Sequence, residues 1–312
     1  MAADGASGDV AADGTADAGS EGLLSSVTDP DALHRTTFFL STAAVLLIAL
    51  FPFYYLFVIA FTPAGRTTDA GLLPAGFDPS SFVEMFQVLP FHRFVFNSLV
   101  IAIGVTAFVL VFASLAGYVF GRMEFRGKRP LFLLLIAVSY FPGATFLVGL
   151  FKLLTGNVTV FGVTSPNLFN TPAAVGLPLT ALALPFAILI LTTFYGQIPD
   201  GLEDAARVTG SSRLGALYHV IMPLSAPGLV TAGILTFITA YNEFFFSQLM
   251  TTGAAQDWSP IVWGLTNYQA EFSIRYDLMA AASIVGVLPV AILVLLAQRK
   301  IVSGLSSGSL KG

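Results

Sequence analysis

Few side chains in this sequence are equipped for chemistry, and their spacing excludes most kinds of it. Among 312 residues there is no cysteine, and the three histidines, His34, His92 and His219, stand far apart. Thiolate catalysis, disulfides and cysteine-based zinc sites are excluded. Histidines so scattered suggest no metal site, and no cofactor is expected on this chain. The run from Gly121 to Arg129 (GRMEFRGKR) has a superficial likeness to a phosphate-binding loop. Five residues separate its glycines where four are needed, and Arg129 stands where Ser or Thr would hold magnesium. It reads as a basic loop, so any ATP chemistry belongs to another chain. Two sets of acids remain. Glu243 is the one acid in a long apolar run, and Asp200, Glu203 and Asp204 open the polar stretch 196–228.

The elements that hold these residues are apolar. The chain is 55% hydrophobic and 10% charged, with a mean hydropathy of +0.82. A soluble domain would carry about 25% charged residues. Crossing a bilayer takes about 20 apolar residues. Six runs qualify: residues 38–61, 94–120, 131–151, 173–195, 229–250 and 278–298. An all-α integral membrane protein of six transmembrane helices is therefore expected, in contact with lipid and with no nucleic-acid partner. Prolines 52, 142, 178, 185 and 289 lie within these runs, where neighbouring helices satisfy the freed carbonyls and bends are common. With the N-terminus inside, the inner segments hold ten Lys and Arg residues and the outer side holds four. The positive-inside rule then makes both termini cytoplasmic, at the cell membrane. Seven of the 18 acids fall in residues 1–31, which carry no base and no large apolar cluster before Leu23, so this tail is expected to be disordered.

The polar stretch 196–228 lies on the cytoplasmic side in this topology. Pro199 suits the first turn of a helix. Asp200, Glu203 and Asp204 come next, where the helix dipole favours acids. Leu202, Ala205 and Val208 share a face, and Gly210 stops the helix. Ser211 or Ser212 caps a second helix, with Leu214, Leu217, Tyr218 and Ile221 at helical spacing. Pro223 and Pro227 are expected to end it. Two short amphipathic helices around a glycine bend are more than an ordinary connection needs. A side chain at Gly210 is expected to clash or to straighten the bend.

The stretch resembles the coupling loop of ABC-importer permeases, E-A-A, three residues, G, nine residues, I-x-L-P. Here it reads Asp204-Ala205-Ala206, then Gly210, then Val220-Ile221-Met222-Pro223, with Asp for Glu, Val for Ile and Met for Leu. Glu203 sits one residue earlier. The likeness continues in Asn97-Ser98-Leu99, expected to open the second helix, and in Ala116-Gly117-Tyr118 with Gly121-Arg122. Further on come Leu184-Pro185-Phe186, Tyr241-Asn242-Glu243-Phe244 and a C-terminus similar to that of the maltose-type six-helix subunit. It covers about residues 94–312.

The resemblance implies the ABC-importer permease fold and a non-enzymatic permease subunit of a sugar or oligosaccharide importer. It divides the chain into a cytoplasmic tail at residues 1–34, the six-helix domain at 35–300 and a cytoplasmic C-terminal tail at 301–312. By the same resemblance Glu203, Asp204, Ala205, Ala206, Arg207, Gly210 and Pro223 couple to the ATPase. Asn97, Tyr241, Asn242 and Glu243 belong to the translocation path or gate, and Lys311 and Gly312 reach the ATPase. The implied partners are a second permease subunit, two ATPase subunits that bind ATP and magnesium, and an extracellular solute-binding protein. Bland alternatives stand beside the gate roles: Asn97 as a helix cap, and Glu243 as an interface residue supported by Asn242 and Gln248. A different class also stands, a self-contained carrier or channel that uses Glu243.

Overall fold

The structure is a computed structural model that describes residues 30–270 and 273–308. Its elements are helices joined by short turns and two small hairpins. They run α1 (Pro30–Ala60), α2 (Ser81–Val88), α3 (Phe91–Arg122), α4 (Lys128–Ser139), α5 (Leu147–Leu154), the hairpin β1 (Thr159–Val160) and β2 (Val163–Thr164), then α6 (Pro172–Gly196). After them come α7 (Asp200–Val208), α8 (Arg213–Leu224), α9 (Ala226–Tyr241), α10 (Ser247–Met250), α11 (Ile261–Thr266), the hairpin β3 (Gln269–Ala270) and β4 (Ser273–Ile274), and α12 (Tyr276–Gly308). Of the described residues, those from Pro30 to Tyr55 form a unit of their own, and those from Leu56 on form the second.

Among the described residues four helices are long and apolar enough to cross a membrane: α1, α3, α6 and α12. The third and fifth expected spans are not straight rods. The third is α4 and α5 bent by 89°, with Pro142 and a 3₁₀ turn at Gly143–Phe146 in the break. Hydropathy runs smoothly through that break, so it reads as one run in sequence. The fifth ends early. Helix α9 stops at Tyr241, and α8 meets α9 at 83° about Ser225. Counting each bent pair as one span gives six.

The core of the second unit is built on α3, which packs chiefly against α6 and α9. Close approach to α6 requires Gly117 and Gly121. A Cβ at Gly117 would lie 2.9 Å from that of Leu191, and one at Gly121 would lie 3.0 Å from the Thr192 carbonyl. Small residues four apart let helix backbones meet where no hydrophobic effect drives association. Val105, Val109, Ala113, Val175, Leu191 and Tyr195 fill the seam. Tyr241 closes the contact of α9 with α12 by donating to the Gly286 carbonyl at 2.8 Å. Two helices reach past the limits expected for the six-helix domain. Helix α1 begins at Pro30 rather than after residue 34, and α12 continues through Gly308. Most of the acidic tail, and Lys311 and Gly312, lie outside the described residues.

Candidate functional site

The polar stretch forms its two helices, and both ends of the first are fixed by the local sequence. Pro199 stands just ahead of α7, and Asp200 and Glu203 occupy its first turn. At the other end Gly210 adopts φ +94°. Its N–H bonds the Arg207 carbonyl and the Ser211 N–H bonds that of Ala206, both at 3.0 Å. That paired closure is the Schellman arrangement, which needs a left-handed residue at this point. No atom lies within 4 Å of a Cβ built on Gly210, so the glycine serves backbone conformation and prevents no clash. The Ser212 hydroxyl then accepts from the Gly215 N–H at 3.1 Å and caps α8. Pro223 does not end α8. It sits in the last turn, just after a π-helical segment at Leu217–Ile221, and the helix breaks at Ser225. Pro227 lies in the first turn of α9. The expected apolar face of α8 is divided: Leu217 and Ile221 are buried, while Leu214 and Tyr218 are exposed.

The two adjacent acids of α7 point different ways. Successive residues on a helix are about 100° apart. Glu203 turns inward, its side chain 12% exposed, and Asp204 faces out. Glu203 accepts from the Tyr118 hydroxyl at 2.5 Å and from Arg122 Nε at 3.0 Å. Arg122, with a side chain only 4% exposed, spends its other nitrogens on the Ile198 carbonyl at 2.5 Å and on Asp200 at 2.9 Å. A planar guanidinium has the fork geometry to hold three acceptors at once. Together Tyr118, Arg122, Asp200, Glu203, Arg207 and Arg213 line a polar cleft of about 320 Å³, with Asp204 at its edge. Ala205, Arg207 and Val208 are exposed, as Asp204 is, and Ala206 is half-buried. Sequence reasoning gave Tyr118 and Arg122 no role of their own. The available signal was a Tyr and an Arg four residues apart, one helical turn, at the end of an apolar run.

The four residues grouped as a path or gate bond in separate places. Asn97 lies in the second turn of α3 and is not a helix cap, because the helix opens at Phe91. Its amide donates to the carbonyls of Ala255 and Ser259 at 2.7 and 3.0 Å. Ser98 beside it accepts from the Ile261 N–H at 2.8 Å, so the pair fastens the 255–261 segment to α3. Tyr241 bonds the Gly286 carbonyl of α12. Asn242 is exposed and folds its amide back onto the Ile238 carbonyl. Glu243 lies beyond the end of α9 and is not inside a helix. It is 5% exposed, and its carboxylate accepts from the backbone N–H groups of Phe246 and Ser247. Those amides, and not Asn242 or Gln248, satisfy it. On the same side of α3 as Asn97, Arg275 forks onto Glu84 at 2.8 Å and reaches Asp277 at 2.8 Å. Asp277 and Glu84 hold the guanidinium above its ordinary pKa. This triad, joining α2 to α12, left no mark in the sequence pattern.

Comparison with known proteins places the chain in a family. Residues 110–306 match the family model described as binding-protein-dependent transport system inner membrane component. The sulfoquinovosyl glycerol transport system permease protein SmoH of Agrobacterium fabrum is 36% identical over 279 residues, 88% of this chain and 93% of that protein. The trehalose/maltose transport system permease protein MalG of Thermococcus litoralis is 32% identical over 285 residues, 90% and 99% of the two. Among solved structures, a bacterial ABC transporter involved in the import of the acidic polysaccharide alginate shares the fold. Its TM-score is 0.72 at 19% identity, over 87% of this chain and 98% of that one. With a family model covering more than half its length and near full-length relatives, the chain belongs to the binding-protein-dependent transport system inner membrane components, the permeases of ABC importers.

Proposed function

We propose that this permease imports a carbohydrate and couples to a cytoplasmic ATPase through the 196–228 loop. The observation that carries the reading is the division of α7: Glu203 is tied to the chain's own core, while Asp204 and Val208, about 100° and 140° round the helix from it, are left exposed. Asp204, Ala205, Ala206 and Arg207 form the docking surface, Gly210 sets the angle between α7 and α8, and Pro223 lies in the last turn of α8. A second permease completes the pore, and two ATPase subunits bind ATP and magnesium. An extracellular solute-binding protein delivers the sugar. Both termini are cytoplasmic, where Lys311 and Gly312 add an ATPase contact. The pore alternates between inward- and outward-facing states as the ATPase pair closes. Asn97, Tyr241 and Glu243 support the far end of the pore by fastening its loops, and Asn242 is the member of that group free to meet a solute.

A carbohydrate is the preferred class because relatives named for sulfoquinovosyl glycerol and for trehalose/maltose match nearly end to end. The carrier alternative has no support: the Glu243 carboxylate is already bonded by two backbone amides. The test is purification of the tagged chain from its native membrane, then reconstitution with whatever co-purifies. Radiolabelled maltose and trehalose are supplied with and without ATP. ATP-dependent accumulation with an ATPase and a second permease present supports the proposal. Transport by the chain alone, without ATP, would overturn it.

A further inference from the structure

A docking helix is useful only if its displacement reaches the helices that line the pore. Helix α7 is joined to α6 through Gln197, Ile198 and Pro199, and to α8 through the bend at Gly210. Neither junction contains a continuous helix, so neither transmits a push stiffly. The stiff connection is made by side chains instead. Arg122, the last residue of α3, holds the linker at the Ile198 carbonyl, the first residue of α7 at Asp200 and the next turn at Glu203. Tyr118, one turn back on α3, takes the other oxygen of Glu203. Two side chains of one helix thus pin α7 at points about a turn apart, which fixes its direction as well as its position. The Arg122 and Glu203 side chains are 4% and 12% exposed, so water competes little for the bond between them, while the Asp200 end of the clamp is open to solvent.

Helix α3 is continuous from that point. Asn97 lies 25 residues before Arg122, about 38 Å along the axis. At that end Asn97 and Ser98 hold the 255–261 segment. We infer that Arg122, supported by Tyr118, is the positioning residue that makes α7 and α3 move as one body, so that displacement of the docking face arrives at the far end of α3. The inference rests on the importer reading proposed for the chain. Asp204 takes the opposite part, meeting the ATPase while Glu203 meets the chain's own core.

The experiment compares solute accumulated per ATP hydrolysed in the reconstituted complex, for wild type, Arg122→Gln, Arg122→Lys and Tyr118→Phe. The probe is labelled maltose or trehalose, whichever the wild type accumulates. A merely structural defect removes assembled complex and lowers uptake and hydrolysis in proportion, leaving the ratio unchanged. Loss of the clamp lets the ATPase run without moving α3. We expect the ratio to fall at least tenfold in Arg122→Gln, and by about threefold in Arg122→Lys and Tyr118→Phe. The charge exchange Arg122→Glu with Glu203→Arg is expected to recover part of what Arg122→Glu alone loses. If Arg122→Gln does not assemble, the two milder variants decide. A wild-type ratio in all variants that assemble overturns the clamp and leaves the importer reading standing. Transport by the wild-type chain alone, without ATP, removes the importer reading, and the clamp falls with it.

Discussion

The inward and outward acids of α7 differ by one residue in sequence and ought to differ sharply in what they contribute to the free chain. Consider Glu203→Gln and Asp204→Asn, each measured in the purified protein without its partners. Glutamine at 203 keeps an acceptor for one of the two donors, Tyr118 or Arg122 Nε, and loses the charge. A hydrogen bond to a charged group is worth about 1.5–3 kcal/mol, and stripping one partner from a buried ion pair costs about 3–5 kcal/mol. Arg122 retains the Ile198 carbonyl and Asp200, but the Asp200 side chain is 89% exposed and its attraction is screened. The cost of Glu203→Gln is then about 2–3 kcal/mol, at or just below the low end of the buried-pair range, because Asp200 and the Ile198 carbonyl remain.

Asp204 is exposed, and removing its charge should change stability by no more than about 0.5 kcal/mol. For a chain of this size each kcal/mol moves the unfolding midpoint by about 2–4 °C. Glu203→Gln should therefore unfold about 4–12 °C below wild type, and Asp204→Asn within about 2 °C of it. Circular dichroism of the protein in detergent reads both. The order should reverse for ATPase co-purification, where Asp204→Asn is the weaker binder. Equal midpoints, or a larger thermal loss in Asp204→Asn, would refute the inward assignment of Glu203 and the clamp built on it.

Other perturbations test other parts of the structure. Gly210→Ala and Gly210→Leu should cost the free chain the same, about 1–2 kcal/mol, because the penalty is the left-handed backbone; stability that falls with side-chain size would show a clash instead. Asn97→Ala strands the carbonyls of Ala255 and Ser259 and should cost about 2–3 kcal/mol, read by thermal unfolding, with faster proteolysis in the 255–261 segment. Glu243→Ala should lower stability by about 1–2 kcal/mol, as loss of a helix cap does, and Glu243→Gln by less, since one amide keeps its acceptor. Equal unfolding midpoints for wild type and Glu243→Ala would remove the capping role.

What was legible in the sequence was whatever depends on near neighbours. The Gly210 stop, the Ser212 cap and the acidic first turn of α7 are local, and residue type announces each one. The long apolar helices show for the same reason. The breaks at residues 140–142 and 242–246 were not legible, because hydropathy continues across both. Pro142 and Gly143 marked the first, but proline inside a membrane run is compatible with a bend or with a full break. Glu243 was placed within a helix on the strength of the apolar residues around it, and its real surroundings depend on the chain turning back upon it. The contacts that tie α7 and the 255–261 segment to α3 join residues 81, 85 and 158 positions apart: Arg122 to Glu203, Tyr118 to Glu203, and Asn97 to Ala255. No periodicity in one sequence records such a pairing.

That limit bears on how the coupling motif itself is understood. By its pattern the acid of the motif is Asp204, and Glu203 looks like a neighbour that happens to share its charge. In three dimensions the neighbour has the more constrained environment, with a buried guanidinium and a tyrosine hydroxyl on its two oxygens. An outward acid can be exchanged among residues that a partner tolerates, and Asp stands here where Glu is usual. An inward acid must match the reach of Arg122 and Tyr118, and shortening it by one methylene would break at least one of two bonds. Glu203→Asp is therefore a sharper probe than its conservative appearance suggests. It keeps the charge, so it should retain part of the ion pair and cost about 1 kcal/mol in the free chain. Yet it should loosen the angle between α7 and α3 and lower solute moved per ATP about as much as Tyr118→Phe does. A variant with full coupling and wild-type stability would mean that α7 follows α3 by charge alone, without the fixed geometry that two bonds impose.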